Sequence, residues 1–85
     1  ELRNLDAENF ARIEALRRGY EDRLAHILAA GQAAGHFRLA DVRLATMAII
    51  AMINGVNTWF REGGGLSRAA VGDIYVDMVR KAVAP

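Results

Sequence analysis

Cysteine is absent from the sequence, and its positive and negative charges nearly cancel. Without cysteine, the chain cannot form a disulfide, a thiolate metal site or a thiol nucleophile. Its two histidines, His26 and His36, cannot build a tetrahedral zinc site without several carboxylate partners. A formal net charge of +1, from 11 basic and 10 acidic residues, does not draw the chain to nucleic acid or to an acidic membrane. We therefore expect no metal and no cofactor.

A long hydrophobic run and a secretory signal are also missing. Charged residues are absent between Leu44 and Phe60, but this stretch is shorter than the about 20 apolar residues that span a bilayer. It also contains Asn54 and Asn57, whose amides would be costly to bury in lipid. The first residues lack the basic start, apolar stretch and cleavage site of a signal peptide. We therefore expect a cytoplasmic protein without a membrane span.

Proline occurs once, as Pro85, and the alternation typical of strands is absent. Alanine, leucine and arginine predominate, and apolar residues recur at steps of three and four, which favours helices. The 85 residues are enough for one small all-α domain. The predicted helices cover about residues 4–34, 41–61 and 67–83. Their predicted N-caps are Asn4 or Asp6, Asp41 and Ser67.

Glycines mark the two predicted turns. Gly35 is expected just past the end of the first helix, with Phe37 folding back beyond it. Three consecutive glycines, Gly63–Gly65, cannot continue a helix cheaply and therefore separate the second helix from the third. Both links are short, so neighbouring helices are expected to be antiparallel.

The second helix is apolar or uncharged all round, which predicts a helix buried on nearly all sides. Three helices of this length form one thin layer of core, and a domain this small buries only about 60% of the surface of its unfolded chain. Part of the second helix therefore needs another surface. We expect a homodimer in which the second and third helices of two chains form a four-helix bundle.

The expected dimer interface combines small residues, which let another helix approach closely, with larger apolar anchors. On the second helix, the small residues Ala48, Ala51 and Gly55 form a strip. Trp59 extends this strip with an aromatic side chain of a type enriched at interfaces. The predicted interface residues are Ala48, Ala51, Met52, Gly55, Trp59, Ile74, Met78 and Ala82. The alternative, that these residues fill a core within one chain, stays open.

Three stretches resemble the signatures of one protein family. Ile27–Arg38, with the sequence ILAAGQAAGHFR, is followed by Asp41 and resembles the "I-x-x-G-x-x-x-G-x-F, then D" signature of TetR-type transcriptional repressors. Asn54–Arg61, with the sequence NGVNTWFR, resembles the "N-x-x-x-x-W-[YF]" end of the family's eighth helix. Gly65–Ser67 resembles the "G-x-[LS]-S" start of the ninth helix. In order and spacing, this resemblance covers nearly the whole chain.

The resemblance implies that residues 1–85 are the C-terminal part of the effector-binding and dimerisation domain. In the family, the seventh helix lines the effector pocket, and the eighth and ninth helices form the dimer bundle. The family's N-terminal helix-turn-helix has no counterpart here, so operator DNA would be contacted only through that missing domain. Asn54 and Trp59 are similar to the branch that senses fatty acyl-CoA, whereas Gly55 and Asn57 depart from it. We expect a small apolar or amphipathic effector, which is acyl-CoA-like if the resemblance to this branch holds.

The expected effector pocket lies between helices and has mostly apolar walls. Its predicted lining residues are Phe10, Ile13, Arg17, Leu24, Met47, Ile50 and Asn54. The amide of Asn54, inside an apolar run, needs a hydrogen-bond partner, which is either a ligand or a group of the protein itself. Arg17 either binds an anionic head group or pairs with Glu21, four residues further on.

The resemblance implies a ligand-responsive transcriptional regulator, a repressor, without catalytic residues. An effector would shift the population between two arrangements of the domain and so change the spacing of the DNA-binding heads. One alternative is a free-standing helical dimer that acts as a protein-interaction module. Another is an enzyme of the chorismate mutase type, in which Arg12, Arg17 and Arg23 clamp carboxylates. The sequence disfavours the enzyme because it offers no nucleophile–base pair and no paired carboxylates with a shared cleft.

Overall fold

Three helices make up the fold, as the hydrophobic periodicity predicts. The structure, a computed structural model, describes residues 2–85, with side chains from Asn4 onward. The helices are α1 (Leu2–Ala33), α2 (Val42–Trp59) and α3 (Arg68–Val83). This part of the chain contains no strand, so the all-α prediction is confirmed. The expected N-cap at Asn4 or Asp6 is wrong, because α1 already begins at Leu2 and both residues lie within it.

The N-termini of α2 and α3 are capped by the two predicted residues. Asp41 has an extended backbone (φ −154°, ψ 116°), and its carboxylate accepts a hydrogen bond from the N–H of Leu44 at 2.8 Å. Ser67 accepts from the N–H of Ala70 at 3.1 Å through its hydroxyl oxygen. Each cap satisfies one of the backbone donors that a helix leaves unpaired at its start. The starts of both helices are therefore fixed by local chemistry.

Replacing Asp41 with alanine should destabilise the fold by about 1 kcal/mol, because the first turn of α2 loses its side-chain acceptor. Asp41→Asn should cost almost nothing, since asparagine is an equally good N-cap. The midpoint of urea denaturation, measured at one protein concentration, distinguishes the two variants. Equal losses in both would mean that the cap contributes nothing beyond the aspartate charge.

A compact turn ends α1 and reverses the chain. Gly35 adopts a positive φ of 83°, and the N–H of His36 donates to the carbonyl of Gly31 at 2.8 Å. The N–H of Gly35 donates to the carbonyl of Gln32 at 3.1 Å, which completes the paired hydrogen bonds of a Schellman C-cap. The ring of Phe37 lies directly over the Cα of Gly31, where a Cβ atom would overlap it. The predicted fold-back of Phe37 is therefore confirmed.

The far end of α3 returns to this first turn. The N–H of Arg38 donates to the carbonyl of Val83 at 2.8 Å, which places the end of α3 beside the start of α2. At the other end of α3, Gly63 has a φ of 76° in the glycine-rich turn. Because α3 ends beside the start of α2, α3 runs antiparallel to α2, as the short link predicts.

The chain is only one layer thick. Its dimensions are 52 × 35 × 15 Å, and its radius of gyration is 16.1 Å, whereas a compact chain of this length has about 12 Å. Its accessible surface is 6927 Å², against about 5,000 Å² for a folded monomer of this mass. The excess of about 2,000 Å² is surface that a closed domain of this mass would bury.

Few side chains are buried within this layer. In residues 4–85 the buried apolar residues are Leu28, Val71 and Val83, and Thr46 is buried with its hydroxyl donating to the carbonyl of Val42 at 2.8 Å. The prediction that the second helix is buried on nearly all sides is wrong for this chain by itself, because Leu44 is 69% exposed and Trp59 is 51% exposed. No helix within residues 2–85 is long and apolar enough to cross a bilayer.

Candidate functional site

An apolar groove of about 360 Å³ runs between α1 and α2. It is lined from α1 by Ile13, Leu16, Arg17 and Tyr20, and from α2 by Ile50, Ile53 and Asn54. The α1 residues follow steps of three and four, so they share one helix face. Because the two helices are antiparallel, residues 13–20 of α1 lie opposite residues 50–54 of α2. The groove therefore has aliphatic walls and only a few polar groups, which is the usual make-up of a small-molecule site.

The structure brings together part of the predicted pocket. Ile13, Arg17, Ile50 and Asn54 line the groove, whereas Phe10, Leu24 and Met47 do not. Leu24 lies in a shallow depression along α1, and Met47 lies in a charged groove beside the first half of α2.

Sequence reasoning also missed three lining residues. Leu16, Tyr20 and Ile53 line the groove. Leu16 and Tyr20 follow Ile13 by three and seven residues, and Ile53 follows Ile50 by three, so helical spacing alone could have found them.

Arg17 enters this groove as half of an ion pair. Its Nη2 atom lies 2.6 Å from Oε2 of Glu14. This hydrogen bond, with the charges of Glu14 and Glu21, raises the pKa of Arg17. The expected pairing with Glu21 is therefore wrong: the partner is three residues back, and Glu21 acts only through its charge. The pair is exposed enough to contribute little to stability. With Glu21, it gives the guanidinium of Arg17 two carboxylate neighbours.

The amide of Asn54, which is exposed at the groove, makes no hydrogen bond with residues 4–85. By contrast, Thr58 in the same helix donates its hydroxyl to the carbonyl of Gly55 at 2.7 Å. The sequence left two partners open for Asn54, a ligand or a group of the protein. Within residues 4–85, neither a backbone carbonyl nor a neighbouring helix provides one. Its donor and acceptor atoms therefore remain available to a molecule in the groove.

A second groove, of about 380 Å³, lies between α2 and α3. Its lining residues are Ile53, Asn54, Val56, Asn57, Phe60, Arg68, Val71, Gly72 and Tyr75. Arg68 stacks on Phe60, with its guanidinium carbon 5.0 Å from the ring centroid. Its Nε atom lies 2.6 Å from Oε1 of Glu62. This groove is more polar than the first because it collects two amides, a phenol and a guanidinium.

Most predicted dimer residues lie on the surface of the chain. Ala48, Ala51, Trp59, Ile74, Met78 and Ala82 are exposed, and Met52 and Gly55 are half-buried. They do not fill a core within one chain, which was the open alternative. The bundle itself stays a prediction. Among the described residues, no three of histidine, cysteine, aspartate and glutamate lie close enough together to hold a metal ion.

Fold and groove together define an all-helical domain with a concave apolar site and a large uncovered surface. The chain matches the family model described as tetracyclin repressor-like, C-terminal domain, over residues 1–83, and it belongs to this family. Domains of this family are parts of transcription regulators, and they typically dimerise and bind small-molecule effectors. No curated protein and no solved structure matches the chain.

Proposed function

We propose that this chain binds the effector and forms the dimer of a ligand-responsive transcriptional repressor, with the α1–α2 groove as the effector site. The observation that carries this proposal is the apolar groove, in which the amide of Asn54 makes no hydrogen bond with residues 4–85. An amphipathic molecule would bury its apolar part against Ile13 and Ile50, and it would satisfy the amide. The effector is therefore small and apolar or amphipathic.

Operator contact belongs to another part of the protein. The family model describes a C-terminal domain, and the basic residues of this chain are interspersed with acidic ones rather than gathered on one helix. The chain then acts as a switch. The effector binds one arrangement of the dimer better than another, and this difference in affinity shifts the population and lowers operator affinity.

The homodimer is supported by the uncovered surface. A standard interface buries about 800 Å² on each partner, well within the excess of about 2,000 Å² over a closed monomer. On α2, the small side chains of Ala48, Ala51 and Gly55 form a strip that lets a second helix approach closely. Trp59 lies at the end of this strip as an anchor. The rest of the excess surface includes the apolar face of α1.

Leu16→Ala tests the effector site. Leu16 lines the groove and is 68% exposed, so its truncation removes groove wall with little effect on folding. We expect about tenfold weaker binding of the uncharged fluorescent probe N-phenyl-1-naphthylamine, because three buried carbons contribute about 0.8 kcal/mol each at most. Fluorescence titration gives the dissociation constant.

The matched control is Leu5→Ala, on the same helix and 54% exposed but outside the groove. It should bind the probe as the wild type does. Equal weakening in both variants would place the probe elsewhere on α1. Complete absence of binding to the wild type would favour a protein-interaction module over an effector domain.

A further inference from the structure

The two grooves meet at the second half of α2. Ile53 and Asn54 line both of them, so one turn of helix forms a shared wall. The grooves have similar volumes, about 360 and 380 Å³. A molecule that follows the surface of α2 past this wall can contact both.

The two halves differ in chemistry. The polar groups of the α1–α2 half are the Arg17 ion pair, the phenol of Tyr20 and the amide of Asn54 on the shared wall, and its other lining residues are aliphatic. The α2–α3 half adds the amide of Asn57, the phenol of Tyr75 and the guanidinium of Arg68. No hydrogen bond within residues 4–85 uses the side chain of Asn57 or of Tyr75. Together with Asn54, these groups offer several N–H and O–H donors to one small volume.

We propose that the two grooves form one bipartite site and that its ligand is an amphipathic molecule with a carbonyl or carboxylate head. The aliphatic body lies between α1 and α2, and the head accepts hydrogen bonds from Asn54, Asn57 and Tyr75 between α2 and α3. This inference rests on the proposed effector function and adds the ligand class and its orientation.

Charge supports this orientation. Each half holds one arginine that is already paired with a carboxylate at 2.6 Å, Arg17 with Glu14 and Arg68 with Glu62. The difference is Glu21, which adds a second negative charge near the guanidinium of Arg17 and so disfavours an anion there. In the other half, Arg68 uses Nε for Glu62. Its two terminal nitrogens make no hydrogen bond with residues 4–85, so they can donate to an acceptor.

Gly72 allows the polar half to be filled without disturbing the fold. It lines the α2–α3 groove, and a Cβ atom built on it meets no atom within 4 Å. In Gly72→Leu the side chain therefore enters the space where the head group would bind. The matched control is Gly19→Leu in α1, where the nearest atom to a Cβ is Nη1 of Arg23 at 3.9 Å and neither groove is touched.

The experiment is isothermal titration calorimetry of the purified protein with two probes that share a ten-carbon chain, decanoate and decyltrimethylammonium. The wild type should bind decanoate at least tenfold more tightly than the cation, which has no acceptor. Gly72→Leu should weaken the binding of decanoate at least tenfold and the binding of the cation less than threefold. Gly19→Leu should leave both affinities unchanged. Asn57→Leu, which removes an exposed amide, should weaken the binding of decanoate but not that of the cation. It replaces Gly72→Leu as the test if that variant does not fold.

The outcomes separate this inference from the function on which it rests. If Leu16→Ala weakens both probes but Gly72→Leu and Asn57→Leu bind decanoate as the wild type does, the groove binds ligand and the bipartite site is wrong. The same conclusion follows if the wild type binds both probes equally. If neither probe binds the wild type, the bipartite site is wrong, and the effector function fails with it when N-phenyl-1-naphthylamine does not bind either.

Discussion

Gly55→Leu is expected to raise the dissociation constant of the homodimer on the order of 100-fold or more. In a two-fold symmetric interface each substitution occurs twice, and each overpacked site costs about 1–3 kcal/mol. Within one chain the change is harmless, because a Cβ at Gly55 meets no atom within 4 Å. Any loss of association therefore reports a clash with a second chain and not damage to the fold.

Sedimentation equilibrium over a range of protein concentrations measures this effect. Trp59→Ala should also weaken the dimer, by about 2 kcal/mol or more if the indole is the anchor of the strip. Gly19→Leu lies outside the strip and should leave the association unchanged. If the wild type and Gly55→Leu have the same mass at all concentrations, then α2 does not form the dimer interface.

Gly31→Ala should destabilise the fold by about 1–3 kcal/mol, because the added methyl group overpacks against a fixed aromatic ring. A Cβ at Gly31 would overlap two atoms of the Phe37 ring, and this ring lies over the turn that ends α1. Elsewhere in α1 the same substitution should have the opposite sign. Gly19→Ala should stabilise the fold by up to about 1 kcal/mol through helix propensity.

A double-mutant cycle separates the steric effect from other causes. In the Phe37→Ala background, Gly31→Ala should no longer destabilise, because the ring that it overlaps is gone. Urea denaturation at one protein concentration gives all four free energies of unfolding. An undiminished loss in that background would mean that Gly31 matters for a reason other than the contact with Phe37.

Local chemistry made the helices predictable. Asp41 and Ser67 are the kind of side chains that cap helices, and both make the expected hydrogen bond. Gly35 has the positive φ that favours glycine, so the end of α1 followed from one residue type. The start of α1 was misplaced because Asn4 and Asp6 lie inside the helix, which begins at Leu2, and residue preferences fix a helix end only weakly.

The candidate site was only partly predictable, because a groove depends on how two helices cross. Periodicity identified the apolar face of α1, but it did not show which turns of α1 lie opposite α2. The predicted lining residue Met47 therefore lies in a different groove from Ile50 and Asn54. Ile53, which lines the groove with them, was not predicted. Arg17 had two carboxylates within one turn, and only the structure selects Glu14 over Glu21.

Because the chain is only one layer thick, its stability depends on the concentrations of the molecules that bind its folded form. With a core of Leu28, Val71 and Val83, little apolar burial within the chain offsets the conformational entropy lost on folding. Most of the remaining burial comes from whatever covers the outer faces, and such a partner binds the folded chain but not the unfolded one. For a homodimer, the melting temperature then rises with protein concentration and again with effector concentration. Dilution below the dissociation constant would therefore lower the melting temperature and leave separate, less stable chains.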